Sequence, residues 1–317
     1  MNKDYLWGTM AGFIMLCFFL CLQFRNEIYI LCIGDVNALY SEAEKYYKCN
    51  DFEQAQALYQ KLAKIDSASR CQYVLGDLYF RGLAKEKDLK KARKYFIKAA
   101  EGGNSDAQNN LGYIYTLGIG VNTDFNEAKK WLRMAADQGH TQALVGLGSL
   151  YRNGWGVLKN PKEAFKLYRR AAARGNADGM NNLGYMHLFG YGTYTSSKDA
   201  IYWLQKSAAQ NNATALYNLA ILWIEGHGYP RNLEKGAELL SKAAELGLSG
   251  AQFNLGLMYL YGKGVERNMG CAKELFQQAS VQGHKKAKAY LSNISKDEEC
   301  FKVEESDSIF DLKIIPR

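Results

Sequence analysis

Through most of this chain, apolar residues recur at helical spacing, and glycines break the helical runs at regular intervals. The stretch Ala107–Gln142 carries one full cycle, AQNNLGYIYTLGIGVNTDFNEAKKWLRMAADQGHTQ. Its Leu111-Gly112 returns as Leu75-Gly76, Leu147-Gly148, Leu183-Gly184, Leu219-Ala220 and Leu255-Gly256, in steps of 36 residues with no insertion. Self-similarity at such a period predicts a solenoid of stacked helix pairs, each too small to bury its apolar face alone.

Each repeated column has a physical duty. The first helix opens on a small residue: Cys71, Ala107, Ala143, Gly179, Ala215 or Ala251. The Leu column anchors the core, where truncation to Ala costs ~2–5 kcal/mol. A glycine inside a helix costs ~1 kcal/mol against alanine, so its return beside the Leu predicts an approach too close for a Cβ. Bulky residues follow three positions on: Tyr79, Tyr115, Tyr151, His187, Trp223 and Tyr259. The first helix then stops at Gly82, Gly118, Gly154, Gly190, Gly226 or Gly262, where a left-handed residue is wanted. Asp88, Asp124, Asn160, Ser196, Asn232 and Asn268 stand ready to cap the second helix. That helix ends at Gly103, Gly139, Gly175, Asn211, Gly247 or Gly283.

The flanks read differently. Leu6–Phe24 is a 19-residue run without a charge. As a helix it spans about 28 Å, close to the ~30 Å hydrocarbon core of a bilayer. No small-x-small cleavage site follows it, so the expectation is an uncleaved transmembrane anchor. Lys3 and Arg25 balance across the run and leave orientation open, with a slight lean toward a solenoid on the non-cytoplasmic side. The organisation expected is an anchor and juxtamembrane segment over 1–34, a capping helix pair over 35–70, six units over 71–286, and a closing helix with an acidic tail over 287–317. Within the second segment, YYKCNDFEQAQALYQKLAKID resembles a tetratricopeptide repeat. The final stretch turns apolar at SIFDLKIIP, either a loose tail or a segment folded back on the last repeats.

The column set A-x-x-x-L-G-x-x-Y-x-x-G-x-G-V-x-x-(D/N)-x-x-x-A-x-x-(W/L)-x-x-x-A-A-x-x-G fits Ala107–Gly139 throughout and Ala251–Gly283 nearly so. It resembles the Sel-one-like repeat (SLR) family, relatives of the tetratricopeptide repeats with a longer glycine-rich turn in each unit. Lys85 and Ala84 in the first unit depart from the pattern, as do Gly179, His187, Thr193 and Ser207 in the fourth. The resemblance implies an all-α, right-handed superhelical solenoid of antiparallel helix pairs and a role in assembling other proteins. It implies no catalytic residue.

Composition adds little to this. Apolar residues make up 48%, with only three prolines and a formal charge of +8. The basic residues interleave with apolar positions on second helices and read as solvated faces; nucleic-acid motifs are missing. Seven cysteines show no C-x-x-C or zinc-type spacing. Cys49 and Cys71 fall at opposite ends of the helical layer, too far apart to pair, while a Cys271–Cys300 pair stays open. The four histidines sit in different repeats, with no carboxylate at ligand spacing, and no phosphate-binding loop or nucleophile elbow occurs. No cofactor, metal or small-molecule substrate is expected.

The informative positions are those the repeat leaves free. On the first helices they form a face that lines the concave surface of helix-pair solenoids. Tyr113, Arg152, Tyr185, Phe189, Tyr217, Phe253 and Tyr261 are the candidate partner-binding residues on it, since Tyr and Arg are frequent binding anchors. Beside them runs a column of Asn110, Asn182, Asn218 and Asn254, interrupted by Val74 and Gly146; interior amides need hydrogen bonds, and a ladder to neighbouring backbone is expected. The function these features suggest is a non-enzymatic, membrane-anchored adaptor for proteins or peptides. The alternatives are a secreted repeat effector, if the N-terminus is cleaved, and a hydrolase or redox enzyme using scattered His and Cys.

Overall fold

The computed structural model describes residues 36–65, 69–294 and 313–316. Among the described residues every regular element is a helix. The first, α1, covers 36–48. It is followed by α2 (Phe52–Ile65), α3 (Ser69–Arg81), α4 (Leu89–Glu101), α5 (Ser105–Leu117), α6 (Phe125–Asp137), α7 (Thr141–Asn153) and α8 (Pro161–Ala173). Then come α9 (Ala177–Phe189), α10 (Ser197–Ala208), α11 (Ala213–Glu225), α12 (Leu233–Glu245), α13 (Ser249–Tyr261), α14 (Met269–Val281) and α15 (Lys285–Ile294). From α2 to α5, and again from α6 to α15, helices adjacent in sequence pack on one another, both within repeats (α3 on α4, α9 on α10) and between them (α4 on α5, α8 on α9). The chain is an all-helical repeat solenoid. It divides into two compact units, one ending at Thr123 and one beginning at Asp124.

The apolar run Leu6–Phe24 lies outside the described residues, as does Cys300, and with it the open question of a Cys271–Cys300 pair. Among the described residues no helix is long and apolar enough to cross a membrane. Cys49 is exposed and Cys71 buried, and no disulfide joins them.

The glycines beside the Leu column are there for space. A Cβ on Gly148 would lie 2.6 Å from the ring of Tyr168, and one on Gly76 2.6 Å from the ring of Phe96. At Gly256 the obstacle is Phe276, at 2.7 Å. At these positions, and at Gly184 against Leu204, the first helix presses its backbone onto an aromatic or Leu side chain of the second, which draws the pair together. The helix stops are equally literal: Gly154 and Gly226 both sit at φ 78°, a conformation that costs an ordinary L-residue energy. Asn211, standing where other units have glycine, takes φ 58°.

The second-helix caps act as the sequence suggests; Asp88, for example, accepts from the Lys91 N–H at 2.9 Å, and Asn232 from the Lys235 N–H at 2.8 Å. The first helices turn out to be capped too. Asn104, Asn176 and Asn212 each accept from the N–H three residues on. His140 and His284 occupy the same column and do so through Nδ1, each at 3.2 Å. These histidines are caps, which accounts for their exchange with Asn.

Candidate functional site

The candidate first-helix residues are divided between the two units. In the unit ending at Thr123, Tyr113 is half-buried and lines a cleft of about 320 Å³ with Tyr73, Asp77, Arg81 and Asn110. The other six candidates lie in the second unit. Arg152, Tyr185 and Phe189 come together there. The Arg152 guanidinium stands over the Tyr185 ring at 5.9 Å, and the Tyr185 and Phe189 ring centroids are 4.9 Å apart. Tyr191 completes the cluster, stacked on Phe189 at 5.8 Å and on Tyr185 at 5.9 Å. Phe189 is 45% exposed and Tyr191 43% exposed, so the cluster leaves aromatic ring surface open to solvent. Burial pushes the Tyr185 phenol above its ordinary pKa, the neighbouring Tyr191 adds to the shift, and Arg152 opposes it. Tyr191 escaped the sequence reading because it lies in the turn, between Gly190 and Gly192. The signal was present: the residue between the paired turn glycines varies as freely as the first-helix face (Ile119, Trp155, Tyr191, His227, Lys263).

Phe253 and Tyr261, placed by the sequence on the open face, belong instead to the closing core. Phe253 is 2% exposed, stacks on His284 at 4.6 Å and meets Tyr290 of α15 edge-on at 5.6 Å. The closing helix covers what a further repeat would otherwise cover. Tyr217 is buried as well, in the cluster against which Ile314 and Ile315 pack. His187 fills a slot between the rings of Phe165 and Tyr194. Among the described residues no group of three His, Cys, Asp or Glu side chains is arranged to hold a metal.

The asparagine column forms a ladder, but its rungs are side chains and not the backbone expected from the sequence. Asn254 donates to the Tyr217 hydroxyl at 3.2 Å, and Asn218 to Asn181 Oδ1 at 3.0 Å. Asn110 hydrogen-bonds the Tyr73 hydroxyl. Each of these partners lies 37 residues back, on the preceding first helix. For Asn182 that position is Val145, which has no polar atom to offer, and Asn182 accepts from Arg152 Nη1 at 3.2 Å instead. Repeat periodicity therefore sets the rung, and the residue type at the preceding variable position sets the partner.

Asn218 also meets backbone, and from an unexpected quarter. The Ile315 N–H donates to Asn218 Oδ1 at 2.9 Å, and Asn218 Nδ2 donates to the Ile315 carbonyl at 2.7 Å. The segment 313–316 is folded back onto the repeats. Ile314 and Ile315 pack, partly buried, against the cluster that contains Tyr217, Ile221 and Ile224. Beside them is a cleft of about 670 Å³ walled by Leu188, Phe189, Glu225, His227, Lys313 and Ile314. The aromatic cluster and the docked segment thus share Phe189 at their border.

The Sel1 repeat family model matches six successive segments: residues 69–104, 105–140, 141–176, 177–212, 213–248 and 249–284. The chain belongs to the Sel1 repeat family. No curated protein matches it. Among solved structures, a Sel1 repeat protein from Oxalobacter formigenes is 29% identical, with a TM-score of 0.70, over 76% of this chain and 99% of that one. A protective antigen of uropathogenic Escherichia coli that displays an SLR fold is 31% identical, with a TM-score of 0.62, over 78% of this chain. This Sel1 repeat chain spans only 53% of the length of that antigen.

Proposed function

We propose that this Sel1 repeat protein is a membrane-anchored, non-enzymatic adaptor that holds partner proteins on the first-helix face of its solenoid. The observation that carries the reading is the cluster of Arg152, Tyr185, Phe189 and Tyr191. Large, rigid aromatic side chains beside an arginine are frequent anchors of protein interfaces, and Phe189 and Tyr191 stand exposed. Their positions vary between repeats, so the scaffold does not require them. The anchor is Leu6–Phe24, whose length as an uncharged helix suits a bilayer, and the solenoid lies on the non-cytoplasmic side. Crosslinking in native membranes, with mass-spectrometric identification, tests the reading. The triple variant Y185A/F189A/Y191A should lose the partners captured by the wild type while keeping its helical circular dichroism. An unchanged partner set refutes the assignment of the face. An active reporter fused after residue 317 reads out the side of the membrane.

A further inference from the structure

The pairing of Asn218 with Ile315 specifies more than a folded-back segment. A side-chain amide carries a donor and an acceptor in one plane, and it can satisfy both polar groups of a single residue only when that residue's N–H and C=O point the same way. In an extended strand they do, as in the hydrogen-bonded pairs of an antiparallel sheet. In a helix they point in opposite directions along the axis and are already used. Asn218 is fully buried and is held in place by its second donor bond, to Asn181 Oδ1. Both of its N–H donors and one carbonyl lone pair, three of its four hydrogen-bonding positions, are thereby used. The site selects an extended backbone.

The residues that fill it are suited to the task. Ile314 and Ile315 are β-branched and favour extended geometry. Pro316 restricts the residue before it, Ile315, to the same region, and it has no N–H of its own to satisfy. Little conformational entropy is lost when such a segment docks. The two isoleucines pack against the cluster that contains Ile221, Ile224 and the buried Tyr217. In the other repeats the residues equivalent to Ile221 are Leu257, Tyr185, Ser149, Tyr113 and Asp77, so this apolar floor is a local feature.

We infer that Asn218, with Tyr217, Ile221 and Ile224, is a binding site for an extended peptide that presents β-branched aliphatic residues followed by proline, and that Ile314–Pro316 is its tethered occupant, which a partner segment of the same chemistry must displace. The inference rests on the adaptor reading for its biological meaning but not for its geometry. A covalent link gives its ligand an effective concentration on the order of millimolar when it can span the distance, and 18 residues of chain, 295–312, can reach at most roughly 60 Å. A free peptide of modest affinity is therefore held off about ten-fold or more while the segment is docked.

The test uses the full 317-residue chain and a fluorescent peptide of sequence SIFDLKIIPR, matching residues 308–317. In the variant I314S/I315P the apolar cover and the Ile315 N–H are both removed, and peptide affinity measured by polarisation should rise at least ten-fold over the wild type. A peptide N-methylated at its third isoleucine, the equivalent of Ile315, should bind that variant at least ten-fold more weakly, which probes the clamp without altering the protein. N218A should match that loss, with circular dichroism as the check on folding. Equal affinity of wild type and I314S/I315P overturns the tethered occupant, and indifference to N-methylation overturns the clamp. A wild-type peptide affinity that falls as protein concentration rises would assign the segment to the groove of a second copy and overturn the intramolecular form. Loss of the peptide effects with membrane crosslinks intact sinks this inference alone; the reverse result sinks the adaptor reading alone.

Discussion

Gly236 lies directly beneath the side chain of Ile224, so close that a Cβ on the glycine would collide with Ile224 Cγ1. In the five other repeats the equivalent of Gly236 is alanine: Ala92, Ala128, Ala164, Ala200 and Ala272. The same repeat carries Ala220 where the others have glycine. The small residue has moved from one helix of the pair to the other, and the first helix gains room for a β-branched side chain that faces the docked isoleucines. Replacing Gly236 with Ala should destabilise the α11–α12 pair by about 1–3 kcal/mol through overpacking, offset by up to ~1 kcal/mol of helix propensity. A repeat array does not unfold in two states, so the readout is faster amide hydrogen exchange confined to these helices. Unchanged or slower exchange would mean that Ile224 swings aside at no cost.

Asp178 joins three repeats. Its carboxylate accepts from Gln142 Nε2 at 3.0 Å and from Asn212 Nδ2 at 2.7 Å, while Asn212 also caps α11 through the Ala215 N–H. Asp178 is 6% exposed. Removing the carboxylate in D178A takes the acceptor from two amides in a sparsely hydrated place, at a cost of about 1–3 kcal/mol. Exchange should quicken at the N-terminal turns of both α9 and α11. An effect limited to α9 would show that the cap on α11 holds without its bond to Asp178.

The glycine column, the helix stops and the second-helix caps were legible in the sequence because each answers a local backbone demand that returns every 36 residues. Arg152, Tyr185 and Phe189 were legible as departures from the repeat. Phe253 and Tyr261 were misplaced because their burial depends on α15, which breaks the period. Tyr191 was overlooked because the turn was read only for its glycines. The Asn218–Ile315 pairing joins residues 97 apart with no periodic relation, and nothing local in KIIP announces its partner.

Glu238 on the exposed face of α12 is held between Lys235 at 2.7 Å and Lys242 at 2.8 Å. Hydrogen bonds from these two lysines, with their charge, bring its carboxyl down to about 2. A depressed acid stabilises the fold fully above its unfolded pKa of ~4.3, and that contribution is lost as pH falls through about 2. A side-chain NMR titration should find Glu238 below the other exposed glutamates, and added salt should bring it back toward them. A midpoint among the other glutamates at low salt would mean the lysines do not stay in place in solution.

The first unit carries a larger pH liability at the alkaline end. Burial is the leading cause that raises the phenols of Tyr40, Tyr47, Tyr59, Tyr73 and Tyr95, with Tyr59 pushed up to about 12. Tyr40 and Tyr59 meet edge-on at 6.0 Å, inside the cluster that joins α1, α2 and α3. A phenol raised in the folded state holds its proton more tightly there than in the unfolded chain. The stability this gives is complete below the unfolded value of ~10 and is lost as pH climbs through about 12. Helical signal from α1–α3 should therefore fall over that interval, together with the appearance of tyrosinate absorbance. The variant Y59F keeps the ring and removes the titrating group, so it should move the helical loss to higher pH. If tyrosinate forms with an ordinary midpoint near ~10 while the helices stay intact, these phenols are in contact with water and the packing described for α1–α3 is wrong.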